Sequence, residues 1–120
     1  MGYRSDVGLC LSVSATEKLQ NTLQEHKNNQ NPGYKEITDF LNCADKKEQN
    51  DNGESAYYWS CLKWYKDYAE VSFIKSFLSE LDDDQHLFIC LGESDDDTEI
   101  IGSWWDNPFG MSYMRSIIFE

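Results

Sequence analysis

Residues 86–92 read His-Leu-Phe-Ile-Cys-Leu-Gly. Drawn out as a strand, they set Leu87, Ile89 and Leu91 on one face and Phe88 and Cys90 on the other, because side chains alternate along extended backbone. Such a segment reads as a strand. Residues 6–13 alternate in the same way through Val7, Leu9, Leu11 and Val13, and residues 55–65, Ser-Ala-Tyr-Tyr-Trp-Ser-Cys-Leu-Lys-Trp-Tyr, have the aromatic content of a strand. Residues 98–105 follow 86–92 after the turn Glu93-Ser94-Asp95-Asp96-Asp97 and complete a hairpin. After Asn107-Pro108-Phe109-Gly110, residues 113–119 read as a last strand.

Between these stretches the apolar period changes from two to about 3.6. Ser14-Ala15-Thr16-Glu17 reads as a capping box, with Leu19 and Leu23 on a narrow stripe that runs to about Lys27. Asn28 to Gly33, with Pro32 inside, stops that helix. Ile37, Phe40, Leu41 and Ala44 mark a second, shorter helix. Asp67, with Glu70 three residues on, caps a third, whose wide apolar face is Val71, Ile74, Phe77, Leu78 and Leu81. Residues 45–53 contain no apolar side chain and read as a solvated loop. The order β-α-α-β-α-β-β-β implies an α+β fold, with a mixed or antiparallel sheet of about five strands and helices packed on one face. At 120 residues the chain reads as one domain, 1–120. Hydrophobic residues make up 40% of it, which excludes a disordered chain, and no apolar run is long enough to cross a bilayer.

The Met1–Asp6 start is polar, lacks an apolar secretion segment, and has Asp6 where a myristoylation signal needs Ser or Thr. Cys10, Cys43, Cys61 and Cys90 show neither zinc spacing nor a dense disulfide framework. They read as reduced, buried thiols of a cytosolic protein.

Charge is the main functional signal. The net charge is −12, from 22 acids and 10 Lys+Arg. Residues 1–50 hold seven acids and six bases, so the imbalance lies almost wholly in residues 51–120. Residues 80–106 carry ten acids and no Lys or Arg. An excess of this sign argues against direct contact with nucleic acid or with an anionic membrane, both of which need protein cations. It suits a basic protein surface. Asp82–Asp84 precede the 86–92 strand and Glu93–Asp97 follow it, so the two clusters are expected at opposite ends of the sheet, with Glu99 as a partial bridge.

Other chemistries fit poorly. Asp95, Asp97 and Glu99 alternate like the start of a calcium loop, but Ile100 stands where its glycine belongs and Asp106 where its bidentate Glu belongs. His26 and His86 lie in no Ser, Cys or Asp arrangement, and there is no Gly-rich phosphate loop. No cofactor is implied. Tyr57, Tyr58, Trp59, Trp64 and Tyr65 gather on one strand, and Trp104 and Trp105 are neighbours on another. Rings on a sheet face that the helices leave open would serve as interface anchors, unless the last strands wrap over them as core.

Three stretches carry a family resemblance. Gly2-Tyr3-Arg4-Ser5-Asp6-Val7 resembles the opening of small phage- and prophage-encoded proteins, and Trp59-Ser60-Cys61-Leu62-Lys63-Trp64-Tyr65 and Gly92-Glu93-Ser94-Asp95-Asp96-Asp97-Thr98-Glu99 look like the same group. The resemblance implies a protein of mobile elements acting in the host cytoplasm and transfers no catalytic residue. By analogy of class it points to inhibitors of host defence, of the anti-CRISPR or anti-restriction kind. The expected function is a non-enzymatic inhibitor of a basic host protein or ribonucleoprotein complex. Asp82, Asp83, Asp84, Glu93, Asp95, Asp96, Asp97 and Glu99 would supply charge, and Trp104 and Trp105 would be anchors. An immunity protein that neutralises a toxin nuclease would share this charge logic. A small enzyme would instead need a pocket of paired polar groups around His26, His86 or a cysteine.

Overall fold

The computed structural model describes residues 4–30, 33–65, 68–92 and 98–112. Strand β1 (Ser5–Leu11) lies at the centre of the sheet, where alternation buries Val7, Leu9 and Leu11 on one face and Cys10 on the other. The remaining elements are α1 (Val13–Asn28), α2 (Tyr34–Asn42), β2 (Lys46–Gln49), β3 (Ser55–Leu62), α3 (Ala69–Ser79), β4 (His86–Gly92) and β5 (Thr98–Gly102), with a 3₁₀ turn at Asp83–Gln85 ahead of β4. The sheet order is β2-β3-β1-β4-β5, and every neighbouring pair is antiparallel. The fold is α+β: among the described residues, a five-stranded antiparallel sheet with three helices. Among the described residues no helix is long and apolar enough to cross a membrane.

All three helices pack on one sheet face. Leu19 of α1, Ile37, Phe40 and Leu41 of α2, and Ile74, Phe77 and Leu78 of α3 meet Val7, Leu9, Leu11, Tyr57, Trp59 and Phe88. Phe40 stacks on Trp59 at 4.3 Å between ring centroids, and the Trp59 indole N–H donates to the Phe40 carbonyl at 3.0 Å. The stack adds roughly 0.5–1.5 kcal/mol to what burial of the two rings supplies. The indole bond satisfies a donor that would be costly to bury alone.

Among the described residues the opposite face is covered by irregular chain. Trp104, Phe109 and Met111 lie against Cys10, Ala56, Leu87 and Ile89. Gly8 of β1 makes room for this cover, since a Cβ there would stand 3.0 Å from the Met111 sulfur. The buried Asn107 side chain holds the covering loop in shape. Its amide donates to the carbonyls of Trp104 (3.0 Å) and Met111 (3.1 Å), and its oxygen accepts from the Met111 N–H (2.8 Å).

Several sequence expectations need correction. Residues 45–53 are not loop throughout, because four of them form β2. An edge strand exposed along its whole length needs no apolar side chain, so periodicity gives no sign of it, and its charges guard the edge against further pairing. The first helix is capped by Ser12, whose hydroxyl accepts from the Ala15 N–H at 3.2 Å, two residues before the expected box. Ser12 is fixed there by β4-side contacts: its hydroxyl donates to the Gln85 side-chain oxygen at 2.6 Å. Strand β3 ends at Leu62, so Trp64 and Tyr65 lie beyond it. A register shift opposite Ser5–Val7 and a left-handed Cys61 (φ 52) mark a bulge near that end. Strand β5 ends at Gly102, which puts Trp104 and Trp105 in the following turn. Cys43 and Cys61 are exposed, and only Cys10 and Cys90 are buried. The Asp67 cap and the 113–119 strand lie outside the described residues.

Burial pushes the Cys10 thiol up to about 12 and raises the Tyr57 phenol above its usual value of 10.0. Both groups stay protonated in the folded protein while the unfolded chain already releases its protons. Stability is therefore full below pH 9 and declines as pH rises from 9 towards about 12 by up to about 1.4 kcal/mol per pH unit for each group titrating. Urea unfolding across this range should show the decline, and Cys10→Ala should make it shallower. A flat profile in the unsubstituted protein would contradict the burial described.

Candidate functional site

The two ends of β4 meet different parts of the acidic sequence. Its seven residues span roughly 20 Å, with the Asp82–Asp84 group at the His86 end and residues 93–97 joining β4 to β5 at the other. Glu93, Asp95, Asp96 and Asp97 lie outside the described residues.

The His86 end is a site built by backbone. The Asp82 carbonyl accepts from the Gln85 N–H (3.0 Å) and bonds His86 Nδ1 (3.0 Å). The Asp83 carbonyl accepts from the N–H (2.8 Å) and hydroxyl (3.3 Å) of Ser103, and the His86 carbonyl accepts from the Trp104 N–H at 3.2 Å. The carbonyls of Asp82 and Asp83 are used inside the structure, while the Asp84 carboxylate accepts only a long bond from Gln85 Nε2 at 3.4 Å. Asp82, Asp83 and Asp84 are all exposed, and among the described residues none forms an ion pair. The Gln85 side chain, which also binds Ser12 and Ser14, ties this turn to the start of α1.

The same bonds bring the turn after β5 alongside. Trp105, 46% exposed, and the exposed Asp106 are one to three residues from the two N–H groups docked on Asp83 and His86. The structure thus gathers Asp82, Asp83, Asp84, Trp105 and Asp106 at one end of the sheet. Trp104 faces the other way, half-buried against the Cys10–Leu87 cluster. It anchors the loop from inside and is not an exposed ring.

Glu99 has a partner of its own. It lies on the helix side of β5, where the Lys75 ammonium of α3 contacts both its oxygens at 3.0 and 3.1 Å. Glu80 is likewise near Lys18, at 4.0 Å. These exposed pairs add little stability, but they remove two carboxylates from the unbalanced charge. Tyr57 and Trp59 are buried under the helices, and Tyr58, on the other face, is exposed.

Two residues control the site: His86, weighed in the sequence only as a candidate for catalysis, and Gly102, to which the sequence assigned no role. His86, 1% exposed, is the post on which the turn rests. Gly102 crosses directly above it with φ +87, and a Cβ at that position would collide with the His86 carbonyl oxygen and lie 2.8 Å from its Cδ2. A glycine interrupting a strand-like run is the signal that would have pointed here.

The histidines and cysteines form no catalytic pair among the described residues. His26 lines a cleft of about 440 Å³ with Glu80, Ser72 and Ser76, and its ring stands edge-on to Phe73 at 5.3 Å. Neither histidine is hydrogen-bonded to a hydroxyl, thiol or carboxylate there. No cluster of three or more His, Cys, Asp or Glu among the described residues could hold a metal ion.

Gly102→Ala should destabilise the protein by more than the ~1–3 kcal/mol of left-handed strain alone because it also displaces His86. Gly110→Ala, at φ +66 in open space, is the control that carries strain without collision. Equal losses in thermal or urea unfolding would mean that Gly102 has no close neighbour.

Comparison with protein-family models, with curated proteins and with solved structures finds no significant match to this chain.

Proposed function

We propose that the protein is a non-enzymatic inhibitor carried by a phage or prophage. In this reading it acts in the host cytoplasm on a defence complex of the anti-CRISPR or anti-restriction target type. It binds a basic, nucleic-acid-handling surface of that complex and keeps nucleic acid from it. The observation that carries the reading is the patch at the His86 end of β4. Three adjacent carboxylates without ion-pair partners among the described residues stand next to a half-exposed indole, on backbone fixed by five hydrogen bonds.

The physical logic separates rate from lifetime. A chain of net charge −12 is drawn to a cationic surface over a Debye length of about 8–10 Å, so association speeds up at low salt. An aromatic side chain excluded from water at the centre of a contact slows dissociation. Rigid backbone under the charges limits the entropy lost on docking. Single-stranded or duplex nucleic acid presents regularly spaced phosphates to the same target surface, so it competes for that surface.

The test is affinity capture from host extract at low and high salt, followed by measurement of the captured partner's affinity. The expected partner is a basic nucleic-acid-binding protein or ribonucleoprotein that added nucleic acid displaces. Changing Asp82, Asp83 and Asp84 together to Ser should slow association and weaken binding by about tenfold or more, and Trp105→Ala should speed dissociation. The same triple change at Asp95, Asp96 and Asp97 measures the share of the other acidic segment. Binding that ignores salt, nucleic acid and both triple changes would overturn the reading.

A further inference from the structure

Two thiols at the opposite end of the sheet share one cleft. Strand β2 pairs with β3 as Lys46 with Tyr58, Lys47 with Tyr57, Glu48 with Ala56 and Gln49 with Ser55. In an antiparallel ladder each step back along one strand is a step forward along the other. The ladder ends at Lys46 and Tyr58; Cys43 lies three residues before the one and Cys61 three residues after the other. The two chains remain tied over that interval, because Asp45 Oδ2 accepts from the Ser60 N–H at 2.6 Å and from the Ser60 hydroxyl at 3.0 Å.

Both cysteines are held by their own backbone. Cys43 closes α2, donating its N–H to the carbonyls of Asp39 (2.9 Å) and Phe40 (3.3 Å). Cys61 sits in the β3 bulge with its N–H on Asp6 Oδ1 at 3.1 Å. The Trp59 indole bond to Phe40 fixes the last turn of α2 to β3 just before Cys61. Both side chains are exposed and line a cleft of about 480 Å³ over Phe40 and Leu62.

We propose that Cys43 and Cys61 form a paired-thiol modification site that closes to an intramolecular disulfide when the protein meets a small disulfide oxidant such as glutathione disulfide. A disulfide spans Cα atoms ~4.4–6.8 Å apart, so the bond requires the end of α2 and the β3 bulge to close on one another across the cleft that both cysteines line. The thiolate of one cysteine attacks a sulfur of the oxidant, the oxidant's S–S bond breaks and one glutathione thiolate leaves. The second cysteine thiolate attacks the protein sulfur of the mixed disulfide, the protein S–S bond forms and the second glutathione thiolate leaves. Two protein thiols lose two electrons in all, glutathione disulfide gains them, and the departing thiolates take up the two protons.

Cys10 and Cys90 do not compete. Both are buried, and they contribute to the two opposite faces of the sheet. The new bond would staple the end of α2 to β3 and enclose β2, which restricts the unfolded chain and raises stability. The site is also independent of the acidic patch: β1 pairs Leu11 with His86 at one end and Ser5 with Leu62 at the other.

The full chain is incubated with glutathione disulfide at mildly alkaline pH, quenched with iodoacetamide, and analysed by intact mass and peptide mapping. The expected product has lost two hydrogens, retains no glutathione, joins the Cys43 and Cys61 peptides within one chain, and melts at a higher temperature than the reduced protein. Cys43→Ser and Cys61→Ser should each retain one glutathione on the remaining thiol, with no such gain in Tm. Glutathione retained on both cysteines, no reaction at either, or a link between two chains would each overturn the proposal. The mapping of the unsubstituted protein decides this even if a variant folds poorly.

Discussion

A sheet whose central strands are apolar on both faces cannot be satisfied by helices on one. Burying the Leu87, Ile89 and Cys10 side obliges the chain beyond β5 to return across it, and the return starts at once, over His86. Only a residue without Cβ fits between β5 and that carbonyl, so Gly102 takes a left-handed turn there. The direction of that turn places Trp104 inward and leaves Trp105 outward. It also docks Ser103 on Asp83. Core closure and the shape of the acidic end are therefore one packing event, not two.

The same geometry sorts the acids. Carboxylates on the helix side meet lysines, as Glu99 does with Lys75 and Glu80 with Lys18. The 3₁₀ turn receives no such partner among the described residues, and its carbonyls are already committed to holding Gln85, His86 and Ser103. Two carboxylates about 7 Å apart in water repel by roughly 0.6 kcal/mol, and salt screens that further. Such a cluster is tolerable on a stable scaffold and becomes favourable when a cation arrives. In the proposed function this latent gain is what a basic partner collects.

Much of the fold was legible because hydrophobic period speaks directly to burial. Phe88 and Cys90 opposite Leu87 and Ile89, and the Val71–Leu78 face of α3, sit where alternation and helical spacing put them. Strand β2 was illegible because Lys46-Lys47-Glu48-Gln49 is exposed throughout, and only its pairing with β3 makes it a strand. The Ser12 cap depended on Gln85, 73 residues away. Of the site, the grouping of Asp82–Asp84 followed from adjacency alone. Their meeting with Trp105 did not, since Gly102 marks a break in the strand-like run but nothing local says that it crosses the His86 carbonyl, 16 residues away in the chain. Glu99 went to the helix side because a one-residue step along a strand reverses its face.

In the proposed function the His86 end of the sheet is the surface that a cationic partner covers. Hydrogen exchange of the protein alone and bound to its captured partner addresses this directly. Slowed exchange is expected, confined to the amides around Asp82–Asp84 and Ser103–Asp106, with the helix face unchanged. Protection on α1 and α2 with none at the 3₁₀ turn would contradict it.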